Sequence, residues 1–224
     1  MPLADWIYKR PMIRLLDSQD LMTLNALHDA LAAARTAGRP ILMLGGSSRA
    51  QPADVQSVIQ GYFTLLEPHN PICIVGGRGE PGSVMDTLVE QCYQHHFKIY
   101  VVGVNPIFDL GGRVPSDAVF GFNNISLRCF AMTQLADLVV VFQGGVGTLQ
   151  EIIVPIMHHK LDTVRPATLN GPRAVLVATD FPNPVTDFLP ILCNGQFVSN
   201  QERDFVIPVT LTTVAHCLGQ QLSA

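Results

Sequence analysis

The chain has 224 residues, 48% of them hydrophobic and only 14% charged, with a formal net charge of -4 and a pI near 5.9. That length suits one sizeable α/β domain, and an acidic balance without a Lys/Arg run argues against nucleic acid or an anionic membrane surface as partner. So low a charge content leaves apolar surface that contact between subunits would bury, which points to an oligomer.

Residues 1–17 mix Trp6, Tyr8 and Pro11 with basic residues and show no clean period; they read as an extended arm or short helix. From Ser18 to Thr36, Leu24, Leu27, Leu31 and Ala34 fall at helical spacing, and Gly38 and Pro40 supply the stop. Ile41–Leu44 is a short apolar run of the kind that forms a buried strand, closed by Gly45-Gly46-Ser47-Ser48-Arg49. A helix over 52–66 follows, with Pro52 suited to its first turn. Ile72–Val75 is the second strand, 76–82 its glycine turn, 83–95 the next helix, and Lys98–Val104 the third strand. This βαβαβ order predicts right-handed crossovers and a parallel sheet with helices on both faces, with ligands gathering at the carboxyl ends of the strands.

Residues 106–124 hold Gly111, Gly112, Pro115, Asn123 and Asn124 without periodicity, and read as one long loop. A helix bearing Leu127, Ala131 and Leu135 at spacings of four carries Arg128, and the solid apolar run Leu138–Phe142 is a strand. Then come Gln143-Gly144-Gly145-Val146-Gly147-Thr148 and a helix over 148–158. A strand at Ala174–Ala178, a helix over 184–192, a strand at 205–207 and a closing helix over 211–222 complete the chain. No internal repeat or low-complexity linker divides it.

The five cysteines are dispersed and lack CxxC spacing, so neither a disulfide framework nor a zinc site is encoded. The N-terminus has basic residues but no apolar core with a cleavage site, and no apolar stretch reaches the roughly 18 residues of a membrane span, so a cytoplasmic protein is expected. His95-His96 and His158-His159 are adjacent pairs, which on a helix point about 100° apart and suit the dipole at a helix end better than one metal. No metal and no organic cofactor is expected.

The turn Gly144–Thr148 lies between a strand and a helix, where unpaired amides and the positive end of the dipole favour an anion, and a phosphate is the first expectation there. Thr148-Leu-Gln-Glu151 also fits a capping box, in which Glu151 would only hold the helix end. Gly45, Ser47 and Ser48 could seat a phosphate or hydroxyl, or form a plain tight turn. Gly77-Arg78-Gly79-Glu80-Pro81-Gly82 is a literal GxGxxG, yet the acidic residue expected about 20 positions on is missing, which argues against a dinucleotide. No GxxxxGK[ST] is present.

Taken together, Gly45–Ser48, the turn ending in Gly82-Ser-Val-Met85, Arg128 with Met132, Ala136 and Asp137, and Gly144-Gly-Val-Gly-Thr-Leu-Gln-Glu151 resemble the LOG ("lonely guy") family, whose members are often labelled lysine decarboxylases. The resemblance runs from about Ile41 to Leu222 and includes Gly195-Gln-Phe-Val after an apolar helix. It implies a three-layer Rossmann-like α/β fold over 39–224, preceded by an arm and helix over 1–38, and a homodimer. It further implies hydrolysis of the N-glycosidic bond of a nucleoside 5'-monophosphate, a cytokinin ribotide or AMP-like substrate, to free base and ribose 5-phosphate. Arg128 and Glu151 would be the catalytic pair, with Gly144, Gly145, Val146, Gly147 and Thr148 on the phosphate; Gly45, Ser47, Ser48, Gly77 and Arg78 would complete the nucleotide site. A molybdenum-cofactor carrier, which has a similar glycine turn, is the alternative of the same fold.

Three segments depart from the family's pattern. Ile125-Ser-Leu-Arg128-Cys129 stands where Met-His-Glu-Arg-Lys is usual, Gln143 replaces the Pro before the glycine pair, and the second turn, carrying Arg78, is one residue longer. Arg78 is the cation expected to replace the lost Lys.

Overall fold

The computed structural model describes residues 17–49, 51, 53–105, 116–160, 171–181, 187–188, 190–191 and 204–222. Over these the chain order is α1 (Ser18–Thr36), β1 (Ile41–Gly45), α2 (Ala53–Leu66), β2 (Ile72–Val75), α3 (Val84–Gln94), β3 (Lys98–Val104), β4 (Ala118–Phe122), α4 (Ile125–Gln134), β5 (Leu138–Val141), α5 (Val146–Lys160), β6 (Ala174–Ala178), β7 (Val206–Val209) and α6 (Val214–Leu222). The strands form one sheet in the order β4-β3-β2-β1-β5-β6-β7. Every pairing is parallel.

Alternation along each strand divides the interior into two cores. Ile41, Met43, Val139 and Val141 face one side with the buried residues of α1, α4 and α5. Leu42, Leu44, Leu138 and Val140 face the other with those of α2, α3 and α6. The result is the three-layer Rossmann-like α/β architecture expected from the sequence. The chain moves outward from β1 to β4 and then returns to lay β5 on the other side of β1. Since right-handed crossovers in opposite directions put their helices on opposite faces, the loops leaving β1 and β5 diverge and open a crevice at their carboxyl ends.

Aspartates fix the other edge of the sheet. Asp137 Oδ2 accepts from the Ile41 amide at 2.7 Å while the Asp137 amide donates to Ile41 O at 2.8 Å. Asp117 does the same for β3, its Oδ2 accepting from the Ile99 amide at 2.8 Å. Each carboxylate thereby satisfies a strand's first donor at the sheet edge.

The sequence reading takes 106–124 for one loop, but Ala118–Phe122 is an edge strand, hydrogen-bonded to β3 from Tyr100↔Ala118 to Val104↔Phe122. Its run is short and interrupted by Gly121, where a Cβ would meet the Asn105 amide group at 2.6–2.9 Å. A glycine required by that close approach erases the β-propensity signal. Residues 106–115, the arm over 1–16, most of the helix expected over 184–192 and the Gly195-Gln-Phe-Val segment lie outside the described residues.

α1 is integral to the core, with Leu24, Leu27 and Leu31 fully buried, each contributing roughly 1.5–3 kcal/mol. Its Asp20, itself buried, accepts from the Asn123 amide at 2.6 Å and the Asn124 amide at 3.1 Å. Asn124 in turn caps α4, its Oδ1 accepting from the Ser126 and Leu127 amides. The first helix thus holds the start of the helix that carries Arg128. Asp20→Ala leaves two amides without acceptors and is expected to lower stability by about 2–4 kcal/mol in urea unfolding; a change within ~0.5 kcal/mol would show that the clamp is dispensable.

Candidate functional site

β1 ends in Gly45 at the crevice, and Gly144 follows the end of β5 by three residues. Phe142 N donates to Gly45 O at 2.9 Å and Ser47 N to Gln143 O at 2.8 Å, so the two turns remain stitched together just past the strands. The first turn is also fastened to the second: Met85 N donates to Ser47 O, Glu80 N to Ser48 O and Gln51 N to Gly82 O. A Cβ on Gly79 would come within 2.7 Å of Ser48 O and 2.8 Å of Ser48 Cα. Much of the GxGxxG pattern is therefore explained by packing of one turn on another.

The glycine pair that opens α5 serves two ends. A Cβ on Gly144 would collide with the Thr148 side chain, which is buried over it, whereas Gly145 and Gly147 face open space. Gly145, Val146 and Gly147 are exposed, the Val146 side chain 86% so. Leu149 N donates to Gly145 O at 3.0 Å, so α5 starts at Val146, two residues earlier than the sequence reading has it. Thr148 is consequently inside the first turn, and the capping box is not formed. The first-turn amides of Val146, Gly147 and Thr148 have no intrahelical acceptor and face the crevice mouth.

Glu151, freed from capping, turns its carboxylate inward onto Gly45; a Cβ there would strike Oε2 and approach Cδ to 3.3 Å. Oε2 is shielded from solvent and has no hydrogen-bond partner among the described residues. Burial pushes the Glu151 pKa from its ordinary 4.5 up to about 7, and the Arg128 charge pulls it back only in part. Pro155, four residues on, has no N–H to give to the Glu151 carbonyl, so the helix is locally weakened at this residue.

Arg128 reaches the same edge from α4. Its Nε donates to Val102 O at 2.9 Å and its Nη2 to Gly76 O at 3.2 Å, which fixes the guanidinium across the ends of β3 and β2. A Cβ on Gly76 would occupy the position of Nη2. Arg128 and Glu151 form no ion pair within 4.0 Å among the described residues, yet each lies within the other's field. The neighbouring Cys129, where the family has Lys, is buried; burial drives its thiol up to about 12, the Glu151 charge adding to the rise and Arg128 opposing it. Such a thiol is inert.

Of the residues expected at the site, Gly45, Gly144–Thr148, Arg128 and Glu151 come together at this edge. Ser47 lies in the wall, its Oγ accepting from the Arg49 amide at 3.1 Å and from Gln51 Nε2 at 3.3 Å. Ser48 is exposed beside it, and Gly77, at φ 124°, lets the second turn bend. Arg78 is not brought to Glu151. Its Nε is paired with Asp86 and its Nη2 with Glu90 at 2.8 Å, both on α3, across the sheet from α4 and α5. Sequence reasoning did not single out Gly76 or Gln143 as site residues; the Gln143 Oε1 is buried at the crevice without a partner among the described residues. The glycine that must follow β2 and the polar residue ending β5 were the available signals. Among the described residues no three His, Cys, Asp or Glu cluster as a metal site, and no helix is long and apolar enough to cross a membrane.

A parallel sheet with a crevice where the strand order reverses, lined by glycine turns and the Glu151 carboxylate, defines a doubly wound α/β protein, and that crevice is where ligands bind in such folds. The model of the family described as "possible lysine decarboxylase" matches residues 84–216, more than half of the chain, and the chain belongs to that family, the LOG family that its motifs resemble. No curated protein matches its sequence. In structure it is similar to TM1055, a structural-genomics target, with 14% identity and a TM-score of 0.58 over 81% of this chain and 99% of that one. It is similar also to a molybdenum cofactor carrier protein from Chlamydomonas reinhardtii, with 16% identity and a TM-score of 0.57 over 83% and 98% of the two chains. A molybdenum cofactor binding protein from Rippkaea orientalis gives 16% identity and a TM-score of 0.55 over 81% and 96%. At such identities the likeness establishes the fold alone.

Because the folded chain holds the Glu151 proton up to about pH 7 and the unfolded chain releases it near 4.5, folding is favoured below 4.5 and weakens as pH rises through about 7. The expected loss is on the order of 3 kcal/mol. Thermal midpoints of the wild type should fall across this window, while those of Glu151→Gln should be flatter; parallel profiles would show that Glu151 is not the group responsible.

Proposed function

We propose that this chain hydrolyses the N-glycosidic bond of a nucleoside 5'-monophosphate, a cytokinin ribotide or AMP-like molecule, releasing the base and ribose 5-phosphate. The observation that carries the reading is Glu151 Oε2, shielded from solvent and without a hydrogen-bond partner among the described residues, one helical turn from the first-turn amides of Val146, Gly147 and Thr148. The 5'-phosphate docks on those amides and the positive end of α5. That contact is remote from the bond to be broken and holds C1' over the acid.

Water adds its oxygen to C1' as the C1'–N bond breaks, and the bonding pair leaves on the base nitrogen. One proton of the water remains in the new 1'-hydroxyl and the other ends on the base. Glu151 orients the water and takes its proton in transit, and as an anion it stabilises the positive charge that grows on the ribose ring. A pKa of about 7 suits a base working near neutrality. Arg128 is a positioning residue first, holding the ends of β2 and β3, and its charge keeps Glu151 from becoming more basic. The working assembly is a homodimer, for which exposed Met22, Ile125 and Met157 offer apolar surface, and the setting is the cytoplasm.

A second reading, a carrier of the molybdenum cofactor without hydrolysis, is favoured by two fold relatives, one named for carrying that cofactor and one for binding it. The same amides would then hold the phosphate of a pterin, and Glu151 would serve binding alone.

A panel of nucleoside monophosphates scored for free base by chromatography separates the two. Hydrolysis is expected, with kcat/KM rising as pH approaches 7, and with Glu151→Gln lowering kcat roughly 10²- to 10⁴-fold. No base release from any of them, together with a pterin chromophore that purifies with the protein, would replace the first reading by the second.

A further inference from the structure

The amino edge of the sheet, one strand's length or roughly 15 Å from the crevice, carries a cavity of about 440 Å3. Arg35, Arg39, His69, Asp137, Arg173 and Leu222 line it. Its arginines are held by the fold. Arg35 Nη2 donates to Leu135 O at 2.6 Å, Arg39 Nε to Asn70 O at 2.9 Å, Arg39 Nη2 to Pro71 O at 3.0 Å, and Arg173 Nη1 to Gln221 O. Main-chain carbonyls thus orient all three guanidiniums, and the rotamer freedom that a ligand would otherwise have to freeze is already lost on folding.

The charge is not balanced. Asp137 is the lone carboxylate of the lining, and it is fully engaged, with Oδ1 on Arg35 and Oδ2 on the Ile41 amide. Arg39 and Arg173 have no carboxylate partner among the described residues. The carboxyl ends of α1, α4 and α6 converge here and offset about half a charge each, and Arg35 and Arg173 are bonded to carbonyls at two of those ends. Against three guanidiniums, Asp137 and these dipoles leave roughly half a positive unit, centred on Arg39, whose partners Asn70 and Pro71 follow a 3-10 turn.

We propose that this cavity is a second anion site that takes a phosphate group, as inorganic phosphate or as the phosphate of a small ester, independently of the glycine turn that opens α5. The guanidinium donors that these bonds leave over among the described residues, Arg39 Nη1 and Arg173 Nε and Nη2, suit the oxygens of a phosphate. The volume admits more than the phosphate alone.

The test uses the full chain with 15N-labelled arginine, titrated with sodium phosphate, ribose 5-phosphate and AMP against sodium chloride at matched ionic strength. The Nε resonances of Arg39 and Arg173 are expected to shift and saturate with phosphate but not with chloride. They should still do so in Gly145→Asp, which sets a carboxylate in open space on the α5 turn and removes an anion there. The double variant Arg39→Gln, Arg173→Gln in that background should bind at least about tenfold more weakly, a loss in keeping with one charge-assisted bond or more. Tighter binding of an ester than of inorganic phosphate identifies the ester as ligand, and equal binding identifies the free ion. Shifts reproduced by chloride, or abolished by Gly145→Asp alone, overturn the proposal; because the wild-type titration needs no arginine variant, a folding failure of the double variant does not shelter it.

Discussion

The carboxylate of Glu151 pressed onto Gly45 is the constraint around which this edge of the molecule is arranged. A carboxylate oxygen shielded from solvent with no partner among the described residues is costly to ionise, and the protein meets that cost partly by keeping the proton, with a pKa near 7, and partly by the field of Arg128. Space follows from the same contact. Gly45 must lack a Cβ to admit the acid, and Gly76 must lack one to admit the guanidinium that tempers it. Two glycines on adjacent strands therefore serve one electrostatic arrangement.

Placing those charges requires rigid supports from both faces and both edges. Arg128 is held at its tip by Val102 and Gly76 and at its root by α4, whose start is fixed by Asn124 and, behind it, by Asp20 of α1. Glu151 hangs from α5, which follows β5 directly, and β5 is registered against β1 at the far edge by Asp137. A carboxylate at the amino edge thus sets the alignment on which a carboxylate at the carboxyl edge depends. Parallel strands transmit such alignment well because each is paired on both sides through the middle of the sheet.

The alternation of apolar runs with helical spacing was enough to read β1, β2, β3, β6 and α1, since buried parallel strands are short and uniformly hydrophobic and α1 ends at Thr36, just before Gly38. β4 escaped because Gly121 answers to Asn105 rather than to strand propensity. At the site, the glycines and the spacing of Arg128 to Glu151 were legible, but not the two-residue shift in the start of α5. That shift decides whether Glu151 caps a helix or enters the crevice, and local pattern cannot settle it, because Thr148 satisfies the cap preference and the packing over Gly144 equally well. Arg78 failed for a related reason. Its partners Asp86 and Glu90 are one helical turn apart on α3, a pairing visible only once the turn and helix are folded together.

Replacement of the family's Lys by Cys129 then has a definite consequence. With Arg78 paired to α3, Arg128 is the cation among the described residues whose field lowers the proton affinity of Glu151. A lysine at 129 would add a second, but position 129 is buried, where an unpaired ammonium is as costly as the acid it would serve. The chain instead fills the place with a neutral thiol and keeps the proton on Glu151 to higher pH. An anion docking at the head of α5 would therefore be held by main-chain amides more than by side-chain charge. Its affinity would then depend on the geometry of Gly144 to Thr148, and only weakly on salt, since fixed dipoles at short range are screened less than exposed ion pairs.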